Sequence, residues 1–482
     1  MREKKRSLRK GSITHINHPI IQKKINESLK LSVKEGSVSA VSSGFGLSYL
    51  SPFALALNAT ASQMGILHAI ISLLPSLVQL KAITLIKKFS RKKIIITGLI
   101  TKMILWIPII ITGILFYLGT PNMAWILIGL IGLFYAASAV IHPVWFSWMG
   151  SLVPDNGRGK YFSKRNIAAG FFGVVTMLIA AVILDGMKKI GTYTNNEPLF
   201  TILGFSVLFT LAIFAQGWSC KLLKRQYEPR LKLRKKDYFT FKQFLKKCTS
   251  TSFGKFTIFR FIFSFSVAIA SPFFALYMLR DLGMSYIWYM GITISTILFR
   301  LIFLPTIGKF SDRFGNIKLL KICSIMGASM PLLYLLSSFI PNDLATKLYL
   351  LFIPGIIGGL GWGGFDLAVN NYVYDAVSSP KRSFGLSYMN LMIGVGSFIG
   401  AGAGSLLALL NIASVNIILL IFGISATLRL LVAIFGVRLL HEVRHVKKFS
   451  YEFLIREFQP MQGIVHEIHN LEHMVKKNEH YI

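Results

Sequence analysis

The chain has 482 residues, 53% hydrophobic and 15% charged, with 53 Lys and Arg against 19 Asp and Glu and a formal net charge of +34. Mean hydropathy is +0.58, which excludes an ordinary soluble domain, because that much apolar surface would face water. On a soluble chain the basic excess would point to nucleic acid; here the lysines and arginines fall between long apolar runs, so a polytopic membrane protein is expected and nucleic acid is not a partner.

Residues 1–35 are polar and basic and lack the early apolar core of a cleaved signal peptide, so this segment is expected to stay attached. A hydrocarbon core of about 30 Å needs about 20 apolar helical residues to cross it. Such runs lie at 36–57, 62–86, 94–118, 123–149, 163–187 and 199–221. After a basic stretch at 222–253 they resume at 254–279, 286–308, 316–340, 345–373, 385–410 and 413–438, and a tail at 441–482 follows. The expected fold is an all-α membrane protein of 12 transmembrane helices, in a bundle at 36–221 and a second at 254–440.

The two halves echo each other. Ser51-Pro52-Phe53-Ala54-Leu55 returns as Ser271-Pro272-Phe273-Phe274-Ala275, Lys88-Phe89-Ser90-Arg91 returns as Lys309-Phe310-Ser311-Asp312-Arg313, and Arg158 and Asn166 keep the spacing of Arg382 and Asn390. One six-span unit used twice, its halves facing each other across a central cavity, is the usual architecture of secondary transporters.

Lysine and arginine in short loops stay cytoplasmic. Even-numbered connections carry Lys87, Lys88, Arg91, Lys92 and Lys93, then Arg158, Lys160, Lys164 and Arg165, then Lys309, Arg313 and Lys318, then Lys381 and Arg382, whereas odd-numbered ones carry few cations. Both termini are therefore expected in the cytoplasm, with the chain in the plasma or inner membrane. In the linker, Tyr238, Phe239, Phe241, Phe244 and Leu245 alternate with Lys242, Lys246 and Lys247. That segment either lies on the inner leaflet with its lysines on anionic lipid or packs its aromatics under the bundles.

Charges in hydrocarbon are unfavourable by at least about 2.5 kcal/mol each, so those inside the spans are functional candidates. Aligning the halves places His142 on span 4 opposite Asp366 on span 10. A histidine and a carboxylate at equivalent positions suit a proton-sensitive site. Trp362, Asp366 and Asn370 share one helical face, as do His142, Trp145 and Met149, with Asn371 adjacent. The cations Lys102 and Arg300 also lie within spans; Arg300 is placed to pair with Asp366, and cations lining a cavity would favour an anionic small-molecule substrate. The alternative is structural: His142 bonded to a carbonyl loosened by Pro143, Asp366 fixed by an arginine, and the cations paired or snorkelling.

Pro52 and Pro272 should break spans 1 and 7 as hinges or static kinks, since proline lacks an amide hydrogen. Tyr49 and Tyr277 nearby are candidate aromatic contacts for a substrate. In span 11, Gly396, Gly400 and Gly404 fall four apart on one face, the spacing that lets helices pack closely. Cys220, Cys248 and Cys323 show no CxxC spacing, so no disulfide framework or zinc site is implied. His466, His469 and His473 could share a metal on one face of a tail helix, but a solvated helix is the commoner outcome, and no metal or cofactor is expected. No G-x-S-x-G element, H-E-x-x-H motif, paired catalytic carboxylates or P-loop is expected, and an enzyme is not expected.

The segment Gly308-Lys309-Phe310-Ser311-Asp312-Arg313-Phe314-Gly315-Asn316-Ile317-Lys318, between spans 8 and 9, resembles the signature loop of the major facilitator superfamily. The resemblance covers about residues 36 to 440 and implies a secondary active transporter, acting as a monomer, that moves a small solute by alternating access. It further implies that Gly308, Asp312, Arg313 and Gly315 latch the bundles on the cytoplasmic side. Glycine suits a tight turn there, and an aspartate beside a helix start can accept hydrogen bonds from free amides. The first-half copy, Lys87 to Lys93, keeps the basic character but has neither the aspartate nor the glycines. The alternative within the same resemblance is a non-transporting assembly factor or receptor.

Overall fold

Apolar runs of this length must satisfy their backbone amides internally, and an open chain in lipid can do so only as helix. The computed structural model describes residues 19–81, 85–86, 88–153, 158–229, 240–377, 382–410 and 416–443, and among them it contains helices and turns but no strand. The chain separates into two compact units, Met1–Ala59 with Leu74–Arg234, and Thr60–Leu73 with Lys235–Ile482.

In the first unit α1 (Pro19–Phe45) gives way to a tighter turn at Leu47–Tyr49, and α2 (Leu50–Ala56) completes the crossing. α3 (Ala61–Gln79), of which residues 61–73 group with the second unit, α4 (Arg91–Tyr117), α5 (Met123–Ala139) continued by α6 (Ile141–Leu152), α7 (Arg158–Tyr193) and α8 (Glu197–Lys224) follow. The linker contributes α9 (Phe241–Lys246), opened by a capping box between Thr240 and Gln243. The second unit holds α10 (Ser252–Ala270), α11 (Phe273–Leu276), α12 (Tyr286–Phe314), α13 (Asn316–Leu336), α14 (Asp343–Ala376), α15 (Arg382–Leu407) and α16 (Ile417–Leu431).

Among the described residues, 11 helices are long and apolar enough to cross a membrane. The remaining expected span, 36–57, is divided at Gly46–Tyr49, so α1 draws its length from polar residues before it and α2 is too short to cross alone. On α4, Ile100, Ile104, Ile107 and Ile111 form an exposed stripe at helical spacing, and Val207, Leu211, Phe214 and Trp218 do the same on α8. Continuous apolar faces of that kind fit acyl chains and would be unfavourable in water.

Helix pairing repeats. α1 packs on α7 and α8 while α10 packs on α15 and α16; α4 packs on α5 and α8 while α13 packs on α14 and α16. The duplication heard in the sequence is therefore a duplication of contacts within each unit. The Ser-Pro repeat marks a break in both crossings. Pro52 sits in the first turn of α2, where its missing amide needs no partner, and Pro272 precedes α11, with Ser271 Oγ donating to the Val267 carbonyl at 2.8 Å.

Close packing accounts for the glycine face of α15. A Cβ on Gly396, Gly400 or Gly404 would run into the carbonyl oxygens of Phe261, Phe265 and Ile269 on α10, whereas one on Gly402 would meet nothing. Gly400→Ala is expected to lower the thermal unfolding midpoint of the detergent-solubilised protein, by an amount corresponding to about 1–3 kcal/mol of overpacking, and Gly402→Ala to leave it in place. Equal midpoints for the two variants would contradict this packing. The first part of α3 also joins the second unit: Ser62 and Ser405 hydroxyls lie 2.8 Å apart, and Ala69 packs with Ala268 and Ala401.

The linker aromatics settle on protein. Phe244 is buried, 5.6 Å from the Tyr388 ring and 6.0 Å from Phe253, and Phe241 lies 5.4 Å from Tyr388, while Lys242, Lys246 and Lys247 stay exposed. Tyr238 and Phe239 lie outside the described residues, as do residues 1–18 and the tail histidines His466, His469 and His473.

Candidate functional site

The second unit holds a charge cluster deep in its helices. Asp366 lies about ten residues, roughly 15 Å, before the end of α14, and its Oδ2 accepts from Arg300 Nη1 of α12 at 2.9 Å. The side chains are 42% (Arg300) and 45% (Asp366) exposed. A pair this far along two apolar helices cannot face hydrocarbon at that exposure without a large penalty, so it opens onto water. The sequence reading placed both residues but passed over Arg260 of α10, whose guanidinium lies over the Phe365 ring at 4.7 Å and within the field of Asp366. Its Nε is buried without a hydrogen-bond partner among the described residues. Phe263, Trp362 and Phe365 pack ring to ring beside it, with centroids 4.9–6.4 Å apart. The signal for Arg260 was available: any arginine inside an apolar span needs a partner.

Arg429 on α16 was also missed. It is 1% exposed and has no carboxylate among its hydrogen-bond partners in the described residues; its guanidinium donates to the carbonyls of Ser266, Val267 and Gly327, at 3.4, 2.7 and 3.3 Å. Asn370 is exposed, whereas Asn371 Nδ2 donates to Ser311 Oγ at 3.2 Å and so belongs to the helix-end network described below.

In the first unit one buried charge is Glu35 on α1. It accepts from Arg165 Nη2 of α7 at 3.1 Å and from Ser219 Oγ of α8 at 2.9 Å, and both ionic side chains are largely sealed. Glu35 falls one residue before the apolar run at 36–57 and Arg165 in the first turn of the run at 163–187, so neither reads in the sequence as a charge within a span. Trp145 lies over the Arg165 guanidinium at 4.1 Å, its Nε1 buried and without a hydrogen-bond partner among the described residues, while His142 is exposed and stacks on Phe146 at 6.4 Å. His142 and Asp366 belong to different units. Lys102 Nζ lies 4.9 Å from the centre of the Phe134 ring. Tyr49 and Tyr277 are buried, the first donating to the Met177 carbonyl at 2.6 Å and the second bonded to Ser337 at 3.0 Å, so both are engaged within the protein.

At the helix ends the loop residues divide differently from the expectation. Gly315 has φ of +96°, a left-handed turn that glycine accommodates, but Gly308 lies within α12, where a Cβ would meet nothing among the described residues. Asp312 and Arg313 are exposed in the last turn of α12, so Asp312 is not the acceptor at the next helix start. Glu442 fills that place, accepting from the Ile317 amide at 2.9 Å, while Asn316 Nδ2 donates to Asp375 at 2.8 Å and its Oδ1 accepts from Ser311 at 2.6 Å.

The first unit repeats this device around Arg91. Glu228 accepts from the Arg91 amide at 2.7 Å and the Lys92 amide at 3.2 Å, and the Arg91 guanidinium, 1% exposed, donates to Ser151 Oγ and to the carbonyls of Ser147 and Pro229. Trp148 donates to the Tyr227 carbonyl at 3.0 Å, as Tyr372 does to His441 at 3.4 Å. In each unit, then, a glutamate just past the sixth helix caps the start of the third, and an aromatic from the fourth holds the residue before it. The basic loop of the first half is thus a packed anchor.

Contrary to the expected absence of that motif, His441-Glu442-Val443-Arg444-His445 matches the spacing H-E-x-x-H. His441 and Glu442 follow the last helical turn and are not themselves helical, the Glu442 carboxylate is bonded to Ile317, and Arg444 and His445 lie outside the described residues. A zinc-binding helix needs both histidines on one face, which the non-helical His441 does not provide. Among the described residues no group of three metal-ligating side chains is assembled.

Comparison with known proteins places this geometry. The profile of the Major Facilitator Superfamily matches residues 36–247 and 256–461. The chain is 33% identical over 109 residues to multidrug resistance protein 2 of Bacillus subtilis (strain 168), an alignment that spans 23% of this chain and only 25% of that protein. Among solved structures, the nucleoside transporter NupG superposes with a TM-score of 0.60 at 14% identity, covering 86% of this chain and 98% of that one. A bacterial homologue of the iron transporter ferroportin, in an inward-facing state, superposes with a TM-score of 0.58 at 12% identity, covering 86% and 98%. With helix pairing repeated between the halves, a matching profile over both and transporter folds on superposition, the chain belongs to the Major Facilitator Superfamily, as a multi-pass all-α membrane protein.

Proposed function

We propose that the chain is a secondary active transporter that carries a small solute by alternating access, with Asp366 as the proton-coupling group and Arg300 as its partner. The observation that carries this reading is the water-open ion pair deep in α12 and α14. A purely structural pair would be expected to be sealed, as Glu35 and Arg165 are. No bond is made or broken in this scheme; protonation of Asp366 would release Arg300, and solute would bias the two bundles between their states. Pro52 and Pro272 are the pivots, and the loop from Gly308 to Gly315, with Asp312 and Arg313, is the cytoplasmic gate, both termini lying on that side of the plasma or inner membrane. The exposed lysines of α9 rest near anionic lipid.

The similar proteins carry names that span drugs, nucleosides and iron, so a broad screen is the direct test. Full-length protein in detergent is heated with nucleosides, peptides, sugars, amino acids, carboxylates, divalent metals and cationic drugs. One class is expected to raise the unfolding midpoint, since a ligand at a hundred times its dissociation constant stabilises by about 2.7 kcal/mol. The same solute should exchange across proteoliposomes loaded with it. No stabilisation and no exchange by any class would leave the non-transporting alternative standing.

A further inference from the structure

We propose that the cluster of Arg260, Arg300, Asp366 and Trp362 is a subsite for an organic monoanion, with a carboxylate as the matching group and a flat apolar body against Trp362. This rests on the transport reading above and names the chemistry of the same site.

The argument is one of charge and unfilled bonds. Asp366 is committed to Arg300 at 2.9 Å, which neutralises one arginine. Arg260 then has only a shared field from that carboxylate and a ring beneath it, and its Nε is buried with no hydrogen-bond partner among the described residues. A guanidinium carries donors in a planar fork and is seldom left short of acceptors inside a protein. Arg429 shows how this fold treats a structural arginine: three backbone carbonyls surround it. Arg260 lacks that treatment and lies beside the water-open ion pair of α12 and α14. The local balance of two guanidiniums against one carboxylate is completed by a single negative charge. Trp362 stands one turn before Asp366 on the same face and is only partly buried, so the apolar part of the ligand has a wall to lie on.

The test uses matched triads on the full chain in detergent: benzoate with benzamide and benzylammonium, and nicotinate with nicotinamide, alongside aliphatic carboxylates. An anion is expected to raise the unfolding midpoint where its neutral and cationic partners do not. Arg260→Gln should weaken that anion at least tenfold, with Arg260→Lys falling between. Without ligand, Arg260→Gln should melt at or above the wild-type temperature, because a partly buried cation whose Nε has no acceptor is removed; a structural arginine would give the opposite sign. Stabilisation by neutral or cationic members equal to that by the anion, or unchanged anion affinity in Arg260→Gln, overturns the subsite and leaves the transport reading intact. Failure of every solute class to bind or exchange overturns both.

Discussion

Asp366→Asn is expected to abolish accumulation driven by a proton gradient in proteoliposomes, by tenfold or more, while leaving solute exchange at equilibrium measurable. The substitution keeps the size of the side chain and removes the group that can change charge. Arg300 then loses its ionic partner at 2.9 Å, and Arg260 loses the field of the same carboxylate. Because both partners of the pair are about two-fifths exposed, the stability loss should be modest, about 1 kcal/mol, well below that of a sealed pair. The diagnostic is the split between the two assays. A coupling residue gives lost accumulation with retained exchange; a packing residue gives a lower unfolding midpoint and loses both. Unchanged gradient-driven uptake in Asp366→Asn would remove Asp366 from the proton path.

A second large effect is expected at Arg91, and it concerns stability. Arg91→Ala should destabilise the first unit by about 3–5 kcal/mol, the range for breaking a buried, hydrogen-bonded ion pair by removing one partner. The guanidinium is 1% exposed and ties the start of α4 to two other segments: Glu228 and Pro229 after α8, and Ser147 and Ser151 on α6. Its loss leaves the Pro229 carbonyl and Ser151 Oγ without the guanidinium donor, while the Ser147 carbonyl keeps Ser151 Oγ and the amides of Arg91 and Lys92 still hold Glu228. Glu228→Gln should therefore lose less, because an amide oxygen can still accept from those amides. A thermal or chemical unfolding series on Arg91→Ala, Glu228→Gln and the double variant separates the terms: contact predicts a coupling of order 1 kcal/mol, and strict additivity would show that the two do not act together.

How far the chain could be read without coordinates differs between fold and site. The crossings were legible because apolar runs of about 20 residues have no other solution in lipid, and the glycine face of α15 was legible because only a missing Cβ permits that approach to α10. Arg300 and Asp366 could be named for the same reason, as charges in apolar helices. Glu35 was lost at a span boundary drawn one residue late, a place where periodicity carries little information. The loop neighbourhood of Asp312 suggests a latch, but helix α12 runs through Phe314, nearly two turns further than hydropathy indicates, and carries that side chain to an exposed face.

By itself the sequence determined the membrane environment, the helical class, the twofold repeat and the presence of charge within the spans, since each follows from composition and spacing along one element. Only the tertiary structure decided which charges meet. Arg260 reaches the Asp366 cluster across helices far apart in the chain, Arg429 is answered by carbonyls that any residue could supply, and Glu228 and Glu442 cap helices more than a hundred residues away. The physical reason is that hydropathy is a property of one helix at a time, whereas an ion pair or a cap is a distance between two, set by how the helices pack.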